Sequence, residues 1–344
     1  MTTRSRTVLS TALTAKLSAL ASTRENWDDE LPAILADLSA VPHHLVVLAS
    51  REIALAARLG WEPLLMDRLI GAFTDEPIYV RDLALMRRAP NYAWIFLFHP
   101  SGHVREAALD SLQRPPESAF FLAAVAWRLN DWAEPVRRAA ARYVQRVQRQ
   151  IVPEVAASSA PYLLDRRHSW GRWSREADLL DDVFGRPDVL PIIAGFLQRT
   201  ANGSLAKYLR LLARNPAIDQ YLPALAASAI QPQVRAIAYR SLLTGNVTWF
   251  AGYEWQWIDK VYGIRKRVPK LDHRPLQDIA LPPDLFWQAA RDASVIVRRA
   301  AADALIASRA AVPDEDRLIA HFEQDKNPSV RSRADFLRRR PRLS

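Results

Sequence analysis

The densest gathering of chemically capable side chains lies between Gly245 and Pro275, in the stretch GNVTWFAGYEWQWIDKVYGIRKRVPKLDHRP. It holds Trp249, Phe250, Tyr253, Trp255, Trp257 and Tyr262, followed by Arg265, Lys266, Arg267, Lys270, His273 and Arg274. Aromatic faces stack on bases or on a partner's side chains, and an adjacent cationic run supplies phosphate contacts. Trp255, Trp257, Arg265, Lys266, Arg267, Lys270 and Arg274 are therefore the first candidates for a contact zone. A structural alternative stands beside them. Trp249, Tyr253 and Trp257 are four apart, which is also the spacing of a buried helical stripe, and Arg265 to Lys270 also suits a solvated loop.

A second, smaller group is DRRHSWGRWSRE, from Asp165 to Glu176. Trp170 and Trp173 are mixed there with Arg166, Arg167, His168, Arg172 and Arg175. Arg and Trp together are the usual composition of interaction hot spots, which adds Trp170, Arg172 and Trp173 to the candidates. The alternative is a distorted helical unit whose tryptophans plug the core.

Other groupings offer less. His99 and His103 are four apart but sit in a turn-like HPSGH with no third ligand, and the adjacent His43 and His44 face different ways on a helix. No metal is expected. Asp178, Asp181 and Asp182 read as a solvated helix face rather than as paired acid–base carboxylates. No GxGxxG, Walker A, GxSxG or HExxH pattern occurs, so no catalytic residue and no cofactor are assigned. The absence of cysteine excludes disulfides, thiolate metal sites and cysteine nucleophiles.

The 344-residue chain carries a net charge of +10 with a pI near 10.1. Such a balance favours an acidic partner, either a protein or a nucleic acid. Its weight is reduced because the cations are mostly arginine and alanine is abundant, a composition that coding bias also produces. The apolar stretch near the N-terminus is broken by Thr11, Thr14, Lys16 and Ser18, and no window approaches eighteen uninterrupted apolar residues. The expectations are a cytoplasmic location, no membrane, and an amphipathic first helix with Val8, Leu9, Leu13, Leu17 and Leu20 on one side.

The elements that must position the candidates show themselves as a repeat. An Asp is followed six positions later by Arg, with Val before the Arg, in DEPIYVR (Asp75, Arg81), DWAEPVR (Asp131, Arg137), DASVIVR (Asp292, Arg298) and DKNPSVR (Asp325, Arg331). Val104-Arg105 and Val234-Arg235 are weaker copies that lack the Asp. Small and apolar residues follow at helical spacing, as in Ala139, Ala140 and Val144, or Ala300, Ala301 and Leu305. Prolines head the apolar stretches at Pro32, Pro63, Pro90, Pro116, Pro153, Pro187, Pro216, Pro283 and Pro313, mostly 26 to 37 residues apart, with one doubled interval after Pro216. Trp61, Trp94 and Trp127 are spaced by 33. A unit of about thirty residues, two helices joined by a short turn, cannot bury both faces alone and must stack on its neighbours.

An Asp in the turn and an Arg early in the second helix resembles the HEAT-repeat superfamily, over most of the chain. The resemblance implies an all-α, right-handed superhelical solenoid of about nine to ten helical hairpins across 1–344. Within it, 1–45 would be N-terminal capping helices, 245–282 an aromatic and basic segment that breaks the repeat, and 283–344 the C-terminal repeats. A cationic tail with Arg338, Arg339, Arg340 and Arg342 would end the chain. The repeat's Asp and Arg would be structural. HEAT arrays commonly bind rather than catalyse, so the implied function is a non-enzymatic scaffold holding an acidic protein or nucleic acid. The rival implication comes from the HEAT-like alkylpurine DNA glycosylases, in which an Asp with Arg and Trp neighbours lines a cationic cleft. Trp127, Asp131, Trp132 and Arg137 supply those residue types here, although the repeat already accounts for Asp131 and Arg137.

Overall fold

The structure is a computed structural model that describes residues 7–23, 27–60, 78–167, 169–173, 175–277, 279–308 and 312–339. Trp61, Pro63, Asp75, His168, Arg340, Arg342 and the side chain of Arg81 lie outside the described residues. The described chain is mostly helical, with one two-stranded sheet, and forms two compact units, Met1–Phe184 and Gly185–Ser344. Among the described residues no single helix is long and apolar enough to cross a membrane.

The first unit contains α1 (Thr11–Thr23), α2 (Trp27–Ser39), α3 (Val46–Ala56), α4 (Ile78–Arg88), α5 (Ala93–Phe96), α6 (Gly102–Ser111), α7 (Ala119–Leu129), α8 (Glu134–Val147), α9 (Pro153–Arg166) and α10 (Asp178–Phe184). Leu13, Leu17 and Leu20 are buried on α1 as the N-terminal pattern predicts, whereas Leu9, also buried, and the half-buried Val8 precede the helix. Helix α7 is apolar on nearly every side and buries Phe120 through Ala126, because α2, α3, α8 and α9 all lie against it. Helix α8 is amphipathic: Val136, Ala139, Ala140, Tyr143, Val144 and Val147 face inward at helical spacing, while Arg138 and Arg142 face water. Pro135, Pro153 and Pro232 sit in first helical turns, where a missing N–H costs no hydrogen bond.

The second unit contains α11 (Leu190–Arg199), α12 (Leu205–Leu212), α13 (Leu222–Ser228), α14 (Pro232–Thr244), β1 (Asn246–Asp259), β2 (Ile264–Pro275), α15 (Leu285–Ala290), α16 (Val295–Ala307), α17 (Glu315–Glu323) and α18 (Pro328–Arg339). Alternate helices lie side by side: α12, α14, α16 and α18 form one row, α11 lies beside α13, and α15 lies beside α17. The first unit does the same with α4, α6 and α8, and with α7 and α9.

The six-residue spacing of Asp and Arg has a geometric cause. Asp131, Asp292 and Asp325 each accept the backbone N–H two residues on, from Ala133, Ser294 and Asn327 at 3.0, 2.7 and 2.8 Å, closing the turn that opens the next helix. The Arg six residues later folds back onto that turn. Arg137, Arg298 and Arg331 donate Nη1 to the carbonyls of Asp131, Asp292 and Asp325 at 2.9, 2.9 and 2.7 Å. In Arg105, Arg235 and Arg298 the other edge of the guanidinium grips the next hairpin's Asp in a two-pronged pair, on Asp131, Asp292 and Asp325 respectively. Arg105 and Arg235 keep this geometry although their own turns lack the Asp. His99 occupies that position in one of them. Its Nδ1 accepts from Ser101 N–H, which places the ring proton on Nε2, 3.0 Å from Asp82 in a buried pair.

The segment between α14 and α15 departs from an all-α fold. It is an antiparallel ribbon, β1 on β2, and the four-residue aromatic spacing is not a helical stripe. Tyr253, Trp255 and Trp257 alternate with Glu254 and Gln256, the period of a strand, and the β-branched and aromatic content favours that conformation.

Candidate functional site

Gly245 ends α14 in the left-handed conformation, φ 65°, and turns the chain into β1. At the far end Gly263, φ 67°, supplies the second sharp reversal, and Asp259 Oδ1 accepts from Val261 N–H and Tyr262 N–H at 2.8 and 3.1 Å. The ribbon is held to its unit near its base. Val247 is 1% exposed where β1 meets α12 and α14. Arg274 forms a two-pronged pair with the fully buried Asp219, 2.7 Å on both oxygens, and also donates to the carbonyls of Ala213, Asn215 and Pro275. Asp219 further accepts from Gln277 N–H at 3.0 Å. Arg274 is thus an anchor of the ribbon and is taken out of the contact zone proposed from sequence. Asp219, 55 residues away, carries no sequence signal that reveals its part.

Beyond the base both faces meet solvent. Opposed residues of an antiparallel pair share a face, so the register sorts the side chains. Trp257 faces Arg265, Trp255 faces Arg267, Tyr253 faces Pro269 and Phe250 faces Leu271. Phe250 falls on this face because Ala251 is an extra residue, a β-bulge between Phe250 and Gly252, which shifts the alternation by one. The opposite face carries Gln256 with Lys266, Glu254 with Val268, and Lys270. The structure therefore collects Trp255, Trp257, Arg265 and Arg267 on one surface and puts Lys266 and Lys270 on the reverse.

On the aromatic surface the arginines lean across the ribbon. Arg265 lies 4.6 Å above the Trp255 ring and Arg267 4.1 Å above the Tyr253 ring. Phe250 and Tyr253 meet edge to face at 5.1 Å. Trp255 and Trp257 remain 57% and 51% exposed. No carboxylate of the described residues pairs with Arg265, Lys266, Arg267 or Lys270, so the donors of each stacked guanidinium stay open to an anion.

The second candidate group divides. Trp173 is buried, and its ring meets Trp170 at 5.1 Å. Trp170 also meets Tyr162 edge to face at 6.2 Å, and Tyr162 meets His43 at 5.7 Å. Trp173 is a core residue and Trp170 a half-buried part of its cluster. Arg172 N–H donates to Asn130, while its side chain is exposed. Arg167 is held by Asp178 and Asp181, two members of that acidic group.

Asp131 is 1% exposed in its side chain, bound by Arg105 and Arg128 at 2.8 and 2.7 Å as well as by Ala133 N–H. Burial pulls the Arg128 guanidinium well below its usual range, against the attraction of Asp131. With its oxygens taken up, Asp131 has no reach to a substrate. Among the described residues no three His, Asp or Glu converge as a metal cage. Comparison with protein-family models, curated proteins and solved structures returns no match to this chain.

Proposed function

We propose that this chain is a non-enzymatic binding scaffold that grips an acidic partner, protein or nucleic acid, with the ribbon formed by β1 and β2. In this reading the helical hairpins form a right-handed HEAT-like solenoid of about nine to ten units in the cytoplasm. The observation that carries it is the aromatic surface of the ribbon: Trp255 and Trp257 open to water beside Arg265 and Arg267, which meet no carboxylate among the described residues. A two-stranded ribbon is marginal on its own, and this one stands clear of its unit over most of its length. Exposed aromatic area of this kind is unfavourable in water and is recovered when a partner covers it.

The test is fluorescence anisotropy with labelled duplex DNA, single-stranded DNA, RNA and poly-glutamate, at low and physiological salt. Binding of at least one polyanion, lost when Arg265, Lys266 and Arg267 are changed together to Ala, supports the reading. Unchanged binding by that variant, or none by the native chain, overturns it. Binding of the nucleic acids with a steep loss of affinity in salt, and none of poly-glutamate, identifies a phosphate backbone as the partner.

A further inference from the structure

The two open edges of the ribbon are not alike. Leu276 N–H donates to Gly245 C=O at 2.9 Å, which sets the phase of the ladder. From there the bonded pairs run Val247 with Arg274, Trp249 with Asp272, Gly252 with Lys270, Glu254 with Val268 and Gln256 with Lys266. The residues between them turn their N–H and C=O groups outward. On β2 that outward row includes Pro269 and Pro275, which have no N–H, so the edge is interrupted in the way that blocks strand addition. On β1 the outward row is Tyr253, Trp255 and Trp257, with no proline among them and every side chain exposed. Arg265 and Arg267 lie over the Trp255 and Tyr253 rings, which carries their charge from β2 toward the β1 edge.

We propose that the free edge of β1 receives an extended segment of a partner protein carrying an acidic residue at every second position. The segment adds a third strand through the backbone of Tyr253, Trp255 and Trp257. Its carboxylates, spaced by the strand period, meet Arg265 and Arg267 on the aromatic face. The inference rests on the ribbon being the gripping surface and commits to how it grips. A second copy of the chain is a poor occupant, since it would set two like-charged ribbons edge to edge. A nucleic acid would use the cations and leave the β1 edge idle.

The experiment uses the full chain and a labelled peptide of about twelve residues alternating Glu and Val, the length of one strand of the ribbon. Its controls are a same-length peptide with proline at every fourth position and duplex DNA. Trp255 and Arg267 face each other at a pair whose N–H groups lie outside the ladder, so Trp255→Pro and Arg267→Pro test the two edges while leaving the inter-strand bonds in place. Trp255→Ala separates loss of the ring from loss of the N–H. The proposal expects the alternating peptide to bind and the proline peptide to fail. Trp255→Pro should weaken binding at least tenfold more than Trp255→Ala. Arg267→Pro should lose only what Arg267→Ala loses. Amide exchange at Tyr253, Trp255 and Trp257 should slow on binding. Equal binding by Trp255→Pro and Trp255→Ala overturns edge addition but leaves the ribbon as a grip. Binding of duplex DNA with none of the peptide replaces the protein partner by a nucleic acid. A native dimer that Trp255→Pro dissociates replaces it by a second copy. Failure of every polyanion removes the reading beneath.

Discussion

Arginine does two opposite things in this molecule. In the turns between hairpins, Arg105, Arg235 and Arg298 lie against backbone carbonyls on one side and an aspartate on the other, and little of each reaches water. On the ribbon, Arg265 and Arg267 lie over aromatic rings and meet no carboxylate among the described residues. The first group holds the fold together; the second costs the fold little and is free to act. A net charge of +10 counts both alike, which is why composition is a poor guide to a binding surface and the partner of each cation a better one.

The comparison breaks most readily at Asp131. Asp131→Ala leaves Arg105 and Arg128 buried without their shared counter-charge and removes a turn-closing acceptor, so unfolding in urea should show a loss of about 4 kcal/mol. A loss under about 1 kcal/mol would mean that the turn arginines are as dispensable as those of the ribbon. Arg274→Ala comes next. It strands the buried Asp219 and frees the ribbon's base, with an expected cost of about 3 kcal/mol and faster protease cleavage within 246–275. If cleavage is unchanged, the anchor lies elsewhere.

Asp325→Asn sharpens the contrast through pH. The hydrogen bond from Arg298 holds the Asp325 carboxyl below the ordinary carboxylate range, with burial opposing and the Asn327 amide assisting. A depressed folded-state pKa contributes stability that is complete above the ordinary carboxylate range and is lost as pH falls through the folded value. Asp325→Asn should therefore cost about 2 kcal/mol at neutral pH. The gap between native and variant urea midpoints should close toward pH 3. A constant gap down to that pH would remove the ion pair as its cause. The smallest effect on stability belongs to the ribbon. Changing Arg265, Lys266 and Arg267 together to Ala should move stability by no more than about 0.5 kcal/mol. A cooperative loss of folding would place those cations with the turn arginines and end the distinction.

The turns were legible because their physics is local. Asp and Arg six apart are joined through their own turn, and the fixed spacing of Asp131 to Arg137, Asp292 to Arg298 and Asp325 to Arg331 records that bond directly. The ribbon's content was legible, but its conformation was hidden. Trp249, Tyr253 and Trp257 satisfy a helical period and an even strand period at once, and the helical surroundings favoured the wrong one. The polar residues between Tyr253, Trp255 and Trp257, with Gly263 ahead of an Arg-Lys-Arg run, held the signal for a hairpin. Asp219 could not be read, because its bond to Arg274 depends on where two distant segments meet. Trp173 stood open between a plug and a hot spot, because burial, which separates the two, is a property of the folded chain.

The extra residue at Ala251 decides which way the outer part of the arm faces. Val247 and Trp255 are an even number of positions apart, yet one enters the core and the other faces outward with the arginines, because the bulge resets the alternation between them. Losing that single position would close the bulge and leave Gly252 to Trp257 opposite the same residues of β2, so Tyr253, Trp255 and Trp257 would keep their side; a regular ladder running through Ala251 at unchanged length would turn them over. Over evolutionary time such an arm is free to lengthen at its tip by matched pairs of residues.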